Sequence, residues 1–191
     1  KTNKAYNRVR EQNFSLNGLL GFDVHGKTVG VIGTGNIGKA FCKIMLGFGC
    51  NVLAFDLFAD KEMEALGVVY KPLIDVFAAA NIISLHCPLN EQTKHLINHE
   101  TIALMKKGVM LINTSRGGLI NTKDAIAALK DQQIGYLGID VYEQEDKLFF
   151  KDLSATIIED DTIQRLMSFP NVLITAHQAF FTNEALTQIA S

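Results

Sequence analysis

The stretch that decides the fold is "TVGVIGTGNIGKA", residues 28–40. It opens on an apolar run, passes three glycines, Gly33, Gly35 and Gly38, and continues into "KAFCKIMLGFG", whose apolar spacing is helical. A strand turning into a helix has a use for each glycine: Gly33 for the tight turn, Gly35 so that backbone N–H groups can approach a pyrophosphate, Gly38 for close helix–strand packing. Gly33, Gly38 and Lys39 also fit the GxxxxGK of a nucleoside-triphosphate loop, but residue 40 is Ala, which has no hydroxyl for Mg²⁺. A purely structural strand-to-helix connection is the plainer alternative. Against it, the next strand, "NVLAFD", ends in Asp56, eighteen residues after Gly38. A carboxylate there accepts from an adenosine ribose 2′-OH and repels a 2′-phosphate, and Leu57 and Phe58 follow where an arginine would suit the phosphate. The combination points to NAD over NADP.

Working outward, "NIISLHC", "VMLINTS", "YLGIDV" and "NVLITAH" are further Val/Ile/Leu-rich runs, separated by helical patterns such as "TKDAIAALKDQ". The alternation predicts an α/β fold, a doubly wound parallel sheet covered by helices on both faces, with ligands bound beyond the carboxyl ends of the strands. Residues 27–180 read as one domain, preceded by a helix and lead-in over 1–26 and followed by a helix start over 181–191. Residues 145–170 are the least regular part, a long loop containing a short helix.

The 191 residues are 48% hydrophobic, enough for a real core, and carry a formal net charge of −2 with no long basic run. No nucleic-acid partner is expected, and no uncharged run approaches the ~18 apolar residues of a membrane span. Cys42, Cys50 and Cys87 are odd in number and lack CxxC spacing, so neither a disulfide framework nor a metal site is expected, and a reducing cytoplasm fits. The first residue is Lys1, and "KTNKAYNRVREQNFSL" resembles a helix entered partway, so the chain reads as a piece.

Four strands end in residues that packing alone would not choose: His86, Arg116, Asp140 followed by Glu145, and His177. A hydride-transfer site for a hydroxy acid needs an acid/base for the hydroxyl proton, a cation for the substrate carboxylate and a carboxylate to orient the base. Arg116 offers a bidentate fork that lysine cannot, although it could instead meet the cofactor pyrophosphate or an internal Asp. His86 and His177 compete as base, and Glu143 and Glu145 as its partner; spacing does not choose between them. Cys42 falls on the apolar face of the first crossover helix and reads as core. His25, His95 and His99 lie in polar connecting segments and read as solvated.

"GKTVGVIGTGNIGKA", "LAFD", "ISLHCPL", "VMLINTSRGGLI", "GIDVYEQE" and "NVLITAHQAFFTNEA" together resemble the D-isomer-specific 2-hydroxyacid dehydrogenases over nearly the whole chain. The lead-in "REQNFSLNGLLGFDVHGKT", with "FFKDLSATIIEDD" and "HQAFFT", most resembles that family's NAD-dependent D-lactate branch of the fermentative bacterial kind. The resemblance implies a Rossmann-like NAD-binding domain. It implies reversible hydride transfer between NADH and pyruvate to give D-lactate, with Arg116, Glu145 and His177 catalytic and His86 merely beside the cofactor. It further implies Gly33, Gly35, Asn36, Ile37, Gly38 and Asp56 at the pyrophosphate and adenosine ribose, with Cys87, Pro88, Thr93, Thr114, Ser115 and Asp140 along the rest of the cofactor. Phosphoglycerate, glycerate, hydroxyisocaproate and formate dehydrogenases share the pattern, and a non-catalytic NAD-responsive module is the rival from another class. The family completes its substrate site with a second domain that is largely absent here. The piece is therefore expected to keep its fold and NAD site while turning over weakly or not at all. Its opening helix resembles the family's homodimer contact.

Overall fold

The six apolar runs form strands, joined by one that the pattern missed. The computed structural model describes residues 1–190; Ser191, the last residue of the third expected segment, lies outside them. Within these, β1 (Thr28–Ile32), β2 (Asn51–Phe55), β3 (Val69–Tyr70), β4 (Ile82–Leu85), β5 (Val109–Asn113), β6 (Ile134–Ile139) and β7 (Val172–Ile174) make one sheet in the order β3-β2-β1-β4-β5-β6-β7. Every neighbouring pair is parallel. The chain winds outward from β1 to β3, returns to the other side of β1 and winds outward again, so the expected doubly wound α/β fold is present. The missed strand, β3, spans two residues, too few to show a period.

The helices are α1 (Thr2–Arg10), α2 (Asn36–Gly47), α3 (Lys61–Ala65), α4 (Leu73–Ala79), α5 (His99–Ala103), α6 (Thr122–Lys130), α7 (Asp161–Met167) and α8 (Asn183–Ala190). Side chains that compete well for backbone N–H groups start four of them: Asp60 caps α3, Asn98 α5, Asn121 α6 and Asp160 α7. The twelve-residue α2 begins at Gly35 with no side-chain cap. Among the described residues no helix is long and apolar enough to cross a membrane.

Both faces of the sheet are packed. On one, Val29, Val31, Val52 and Ala54 meet Cys42 and Met45 of α2 and Met63 of α3. On the other, Ile83, Leu85, Leu111 and Ile134 meet Phe77 of α4, Leu129 of α6 and Leu166 of α7. Cys42 is fully buried, as its place on the apolar face predicts. Residues 145–170 contain a single 3-10 turn, Glu145–Lys147, before α7, in line with the irregular loop expected.

His86 follows β4 and serves the packing of this frame. Its amide donates to Ile32 O (2.7 Å), its Nε2 lies 2.9 Å from Ser84 Oγ, and its ring stands 5.0 Å from that of Phe41 on α2. Burial pushes the imidazole down to about 4 from its ordinary 6.5. The unfolded chain therefore takes up a proton between these values that the folded chain refuses, and stability is lost as pH falls through that window. In urea denaturation, acidification from pH 6.5 to 4 is expected to remove about 3 kcal/mol through this group. A His86→Phe variant should lack that part of the slope; an identical slope would contradict the assignment.

Candidate functional site

Because all strands run parallel, their carboxyl ends share one edge. The register pairs Ile32 with Phe55 and Leu85, Leu85 with Asn113, Asn113 with Ile139, and Ile139 with Ile174. The residues that follow, Gly33, Asp56, His86, Thr114, Asp140 and Thr175, form a row, with the reversal of winding between β1 and β4 at its centre. Ligands of doubly wound sheets bind at such a reversal.

The three glycines differ in what surrounds them. Gly33 has φ +93°, and a Cβ there would lie 2.6 Å from Cys87 N; on Gly38 it would lie 2.0 Å from Gly33 O. Those two serve the close approach of β1, α2 and the β4 end. Around a Cβ on Gly35 there is nothing within 4 Å. That glycine borders open space at the uncapped start of α2, where Asn36 and Ile37 are also exposed. Such space is what a bulky anion needs beside the first amides of a helix that has no side-chain cap.

Asp56 is held from behind. Its Oδ2 accepts from Thr34 N (2.6 Å) and Thr34 Oγ1 (3.1 Å), its Oδ1 from Phe58 N (3.2 Å), and Tyr70 OH in turn donates to Thr34 Oγ1 (3.0 Å). Burial pushes the carboxyl up, but the bonds from Thr34 and Phe58 outweigh it and hold the group below the usual carboxylate range. Nothing in the sequence marks Thr34 and Tyr70 for this role; Thr34 lies inside the glycine turn, where only the glycines carry an obvious signal.

Arg116 leaves the end of β5 on a loop fixed from within. Asn113, fully buried, donates from Nδ2 to Arg116 O (2.9 Å) and accepts from Ser115 N (3.1 Å), while Ser115 Oγ donates to Cys87 O (2.8 Å). The exposed guanidinium donates to Ser115 O (2.7 Å) and makes no ion pair among the described residues. No internal Asp pairs with it among the described residues.

At the far end of the row the geometry separates the two glutamates. His177 Nδ1 lies 2.9 Å from Glu145 Oε1, and Glu145 Oε2 accepts from Tyr142 N (2.8 Å). His177 has φ +53°, and its amide donates to Asp140 O (2.7 Å). Asp140, 3% exposed, braces this turn: its carboxylate accepts from Thr175 Oγ1, Gln178 N (3.0 Å) and Ala179 N (2.8 Å). Phe150 and Phe180 flank the His177 ring, each with its centroid 5.9 Å away.

Glu143 has a different histidine. Its Oε1 lies 2.6 Å from His95 Nε2, and its Oε2 accepts from Thr122 N (2.8 Å) and Thr122 Oγ1 (2.5 Å). Desolvation pushes the Glu143 carboxyl up, and the Thr122 and His95 bonds outweigh it, leaving it low. His95 is therefore not a solvated loop residue, as its polar segment suggests. The signal in the sequence is the second glutamate, since two carboxylates two residues apart need separate partners. His25 and His99 are exposed.

Of the remaining candidates, Cys87 is buried beside Gly33, and burial pushes its thiol up. Pro88 and Thr114 are exposed, and Thr93 closes its own turn, donating from Oγ1 to Pro88 O (2.6 Å) and accepting from Asn90 N (2.8 Å).

Residues 1–179 match the family model described as "D-isomer specific 2-hydroxyacid dehydrogenase, NAD binding domain". The chain belongs to this dehydrogenase family. Over its whole length it is 55% identical to 2-hydroxyacid dehydrogenase A of Aspergillus oryzae and 52% identical to D-lactate dehydrogenase of Escherichia coli, covering 54% and 58% of those proteins. The D-lactate dehydrogenase of Aquifex aeolicus, in a crystal structure with NAD and lactic acid, superposes with a TM-score of 0.89 at 36% identity, over 98% of this chain and 57% of that one. The chain thus spans little more than half the length of the relatives it matches.

The residues of this NAD-binding-domain family member fit NAD: open space at Gly35, a helix start without a side-chain cap, and an ionised Asp56 on the neighbouring strand end. Gly35→Ala is expected to leave urea stability nearly unchanged and to weaken NADH binding about tenfold in a fluorescence titration, through a methyl placed in the anion's space. Gly38→Ala, by contrast, should cost about 3 kcal/mol of stability. Unchanged NADH affinity in the Gly35 variant would leave the glycines a structural role alone.

Proposed function

We propose that this chain is the cofactor-binding part of an NAD-dependent D-2-hydroxyacid dehydrogenase whose reaction is the reversible reduction of pyruvate to D-lactate. The observation that carries the reading is Arg116: an exposed guanidinium with no ion pair among the described residues, on the same sheet edge as a histidine–carboxylate pair. A permanent fork-shaped cation in that position suits a small carboxylate. Pyruvate as the 2-oxo acid is supported by the likeness to the D-lactate dehydrogenases of E. coli and A. aeolicus.

The chemistry that NADH supplies when bound is hydride for the 2-oxo carbon. Arg116 holds the substrate carboxylate and draws electron density from the neighbouring carbonyl. His177 donates the proton that the carbonyl oxygen gains as hydride arrives, and takes it back when lactate is oxidised. Glu145 holds Nδ1 of that ring, so Nε2 is the nitrogen that exchanges the proton. Tyr142 N–H holds the second oxygen of Glu145, and Asp140 holds the turn that carries His177. Gly33, Gly35, Asn36, Ile37, Gly38 and Asp56 would hold the pyrophosphate and adenosine ribose. Cys87, Pro88, Thr93, Thr114, Ser115 and Asp140 would border the remainder of the dinucleotide, Asp140 by holding the turn there.

The same reading puts the protein in the cytoplasm, supported by three buried unpaired thiols, and makes it a homodimer. The exposed Tyr6 and Val9 of α1 and Phe14, Leu16 and Leu20 beyond it supply apolar surface for such a contact.

In the full-length protein, His177→Ala is expected to lower kcat for pyruvate reduction about a thousandfold while NADH still binds. Arg116→Lys should raise the pyruvate KM and leave NADH affinity intact. Wild-type turnover in the His177 variant would remove it from the mechanism, and formation of L-lactate would refute the stereochemical assignment.

A further inference from the structure

The pair formed by His95 and Glu143 has no part in the mechanism above, yet it sits between two of its residues. Three segments converge there. The first, around residues 95–97, runs beside 118–121: His95 N donates to Gly118 O (2.8 Å), Ile97 N to Leu119 O (3.0 Å) and Asn121 N to Ile97 O (2.8 Å), with a parallel bridge between Ile97 and Ile120. The second, 116–122, starts at Arg116 and ends where α6 begins. The third is the end of β6 and the residues after it, 140–145, which finish at Glu145.

Glu143 joins all three. One carboxylate oxygen meets the His95 ring and the other takes both the amide and the hydroxyl of Thr122. The second and third segments also touch directly, since a Cβ on Gly117, the residue after Arg116, would lie 2.1 Å from Tyr142 C and 2.6 Å from Glu143 N. His95 is held for this task in a left-handed conformation, φ +51°, with its carbonyl accepting from Asn98 Nδ2 (3.0 Å).

We propose that His95 and Glu143 act as positioning residues, clamping the loop that carries Arg116 to the strand end that carries Glu145 and so fixing the spacing between the substrate-binding cation and the acid–base pair. The clamp is a statement about this chain alone; its effect on turnover rests on the dehydrogenase reading. Side chains on a surface loop contribute to such spacing only if their bonds are shared between the segments, and here one carboxylate carries them all.

Hydrogen exchange on the full-length protein tests the clamp without reference to activity. His95→Leu is expected to speed exchange about tenfold at the amides of both 118–122 and 142–145, and His95→Gln, which keeps a donor within reach of Glu143, to restore protection. Faster exchange confined to residues 93–97 would overturn the proposal. If His95→Leu does not fold, Thr122→Val removes one donor to Glu143 with little change in volume, and the same two-segment response is expected; its absence overturns the clamp equally. For the effect on the reaction, the pyruvate KM should rise about tenfold, with a smaller fall in kcat and unchanged NADH affinity, and His95→Gln should recover most of it. A KM within twofold of wild type alongside faster exchange would refute the spacing role. A wild-type protein that reduces no 2-oxo acid would end the dehydrogenase reading, while the exchange data would still decide the clamp.

Discussion

The backbone of Gly33 lies so close to that of Cys87 that no side chain fits between them. This contact joins the end of β1 to the residues just after β4, the two strands on either side of the reversal of winding, and it leaves the start of α2 aimed along the sheet edge. Gly38 seats the helix against the same point. The rest of the site follows from where that edge lies: with all strands parallel and in register, whatever follows each strand joins one row.

Along that row the chain uses buried polar side chains to set the direction of the groups that project from it. Asn113 shapes the loop from which Arg116 projects, and Asp140 shapes the turn from which His177 projects. Each spends polar capacity inside the protein, where an unmade bond would be costly, and each is satisfied. The outward side chains are thereby left with few internal partners. Arg116 has a single bond to its neighbour's carbonyl, and His177 has one ring nitrogen committed to Glu145. The two glutamates that spacing does not tell apart have separate partners, because their side chains reach different loops.

Much of this was legible in the residues. The glycine spacing, the carboxylate at the end of the second strand and the apolar runs are local signals, and they locate the fold and the dinucleotide edge without any contact information. Arg116 and His177 stand out because charged groups at the ends of buried strands need a reason. The parts that did not show are those decided by distant neighbours. β3 is two residues long and exists through its pairing with β2. His95 meets a glutamate 48 positions away, and nothing in "TKHLIN" distinguishes it from a solvated loop histidine. The bracing of Asp56 by Thr34 and Tyr70 likewise depends on how β1, β2 and β3 lie side by side.

The left-handed backbone at His177 carries a consequence for how this position can change over evolutionary time. At φ +53° a β-branched residue would be strained, whatever the surrounding chemistry, whereas Gly and Asn are accommodated readily. A substitution to one of those two would therefore keep the turn, with the bonds that Asp140 makes to it, while removing the ring that Glu145 holds. The imidazole could thus be lost by that route with the outline of the fold intact, the only trace being a different residue in the turn beyond β7.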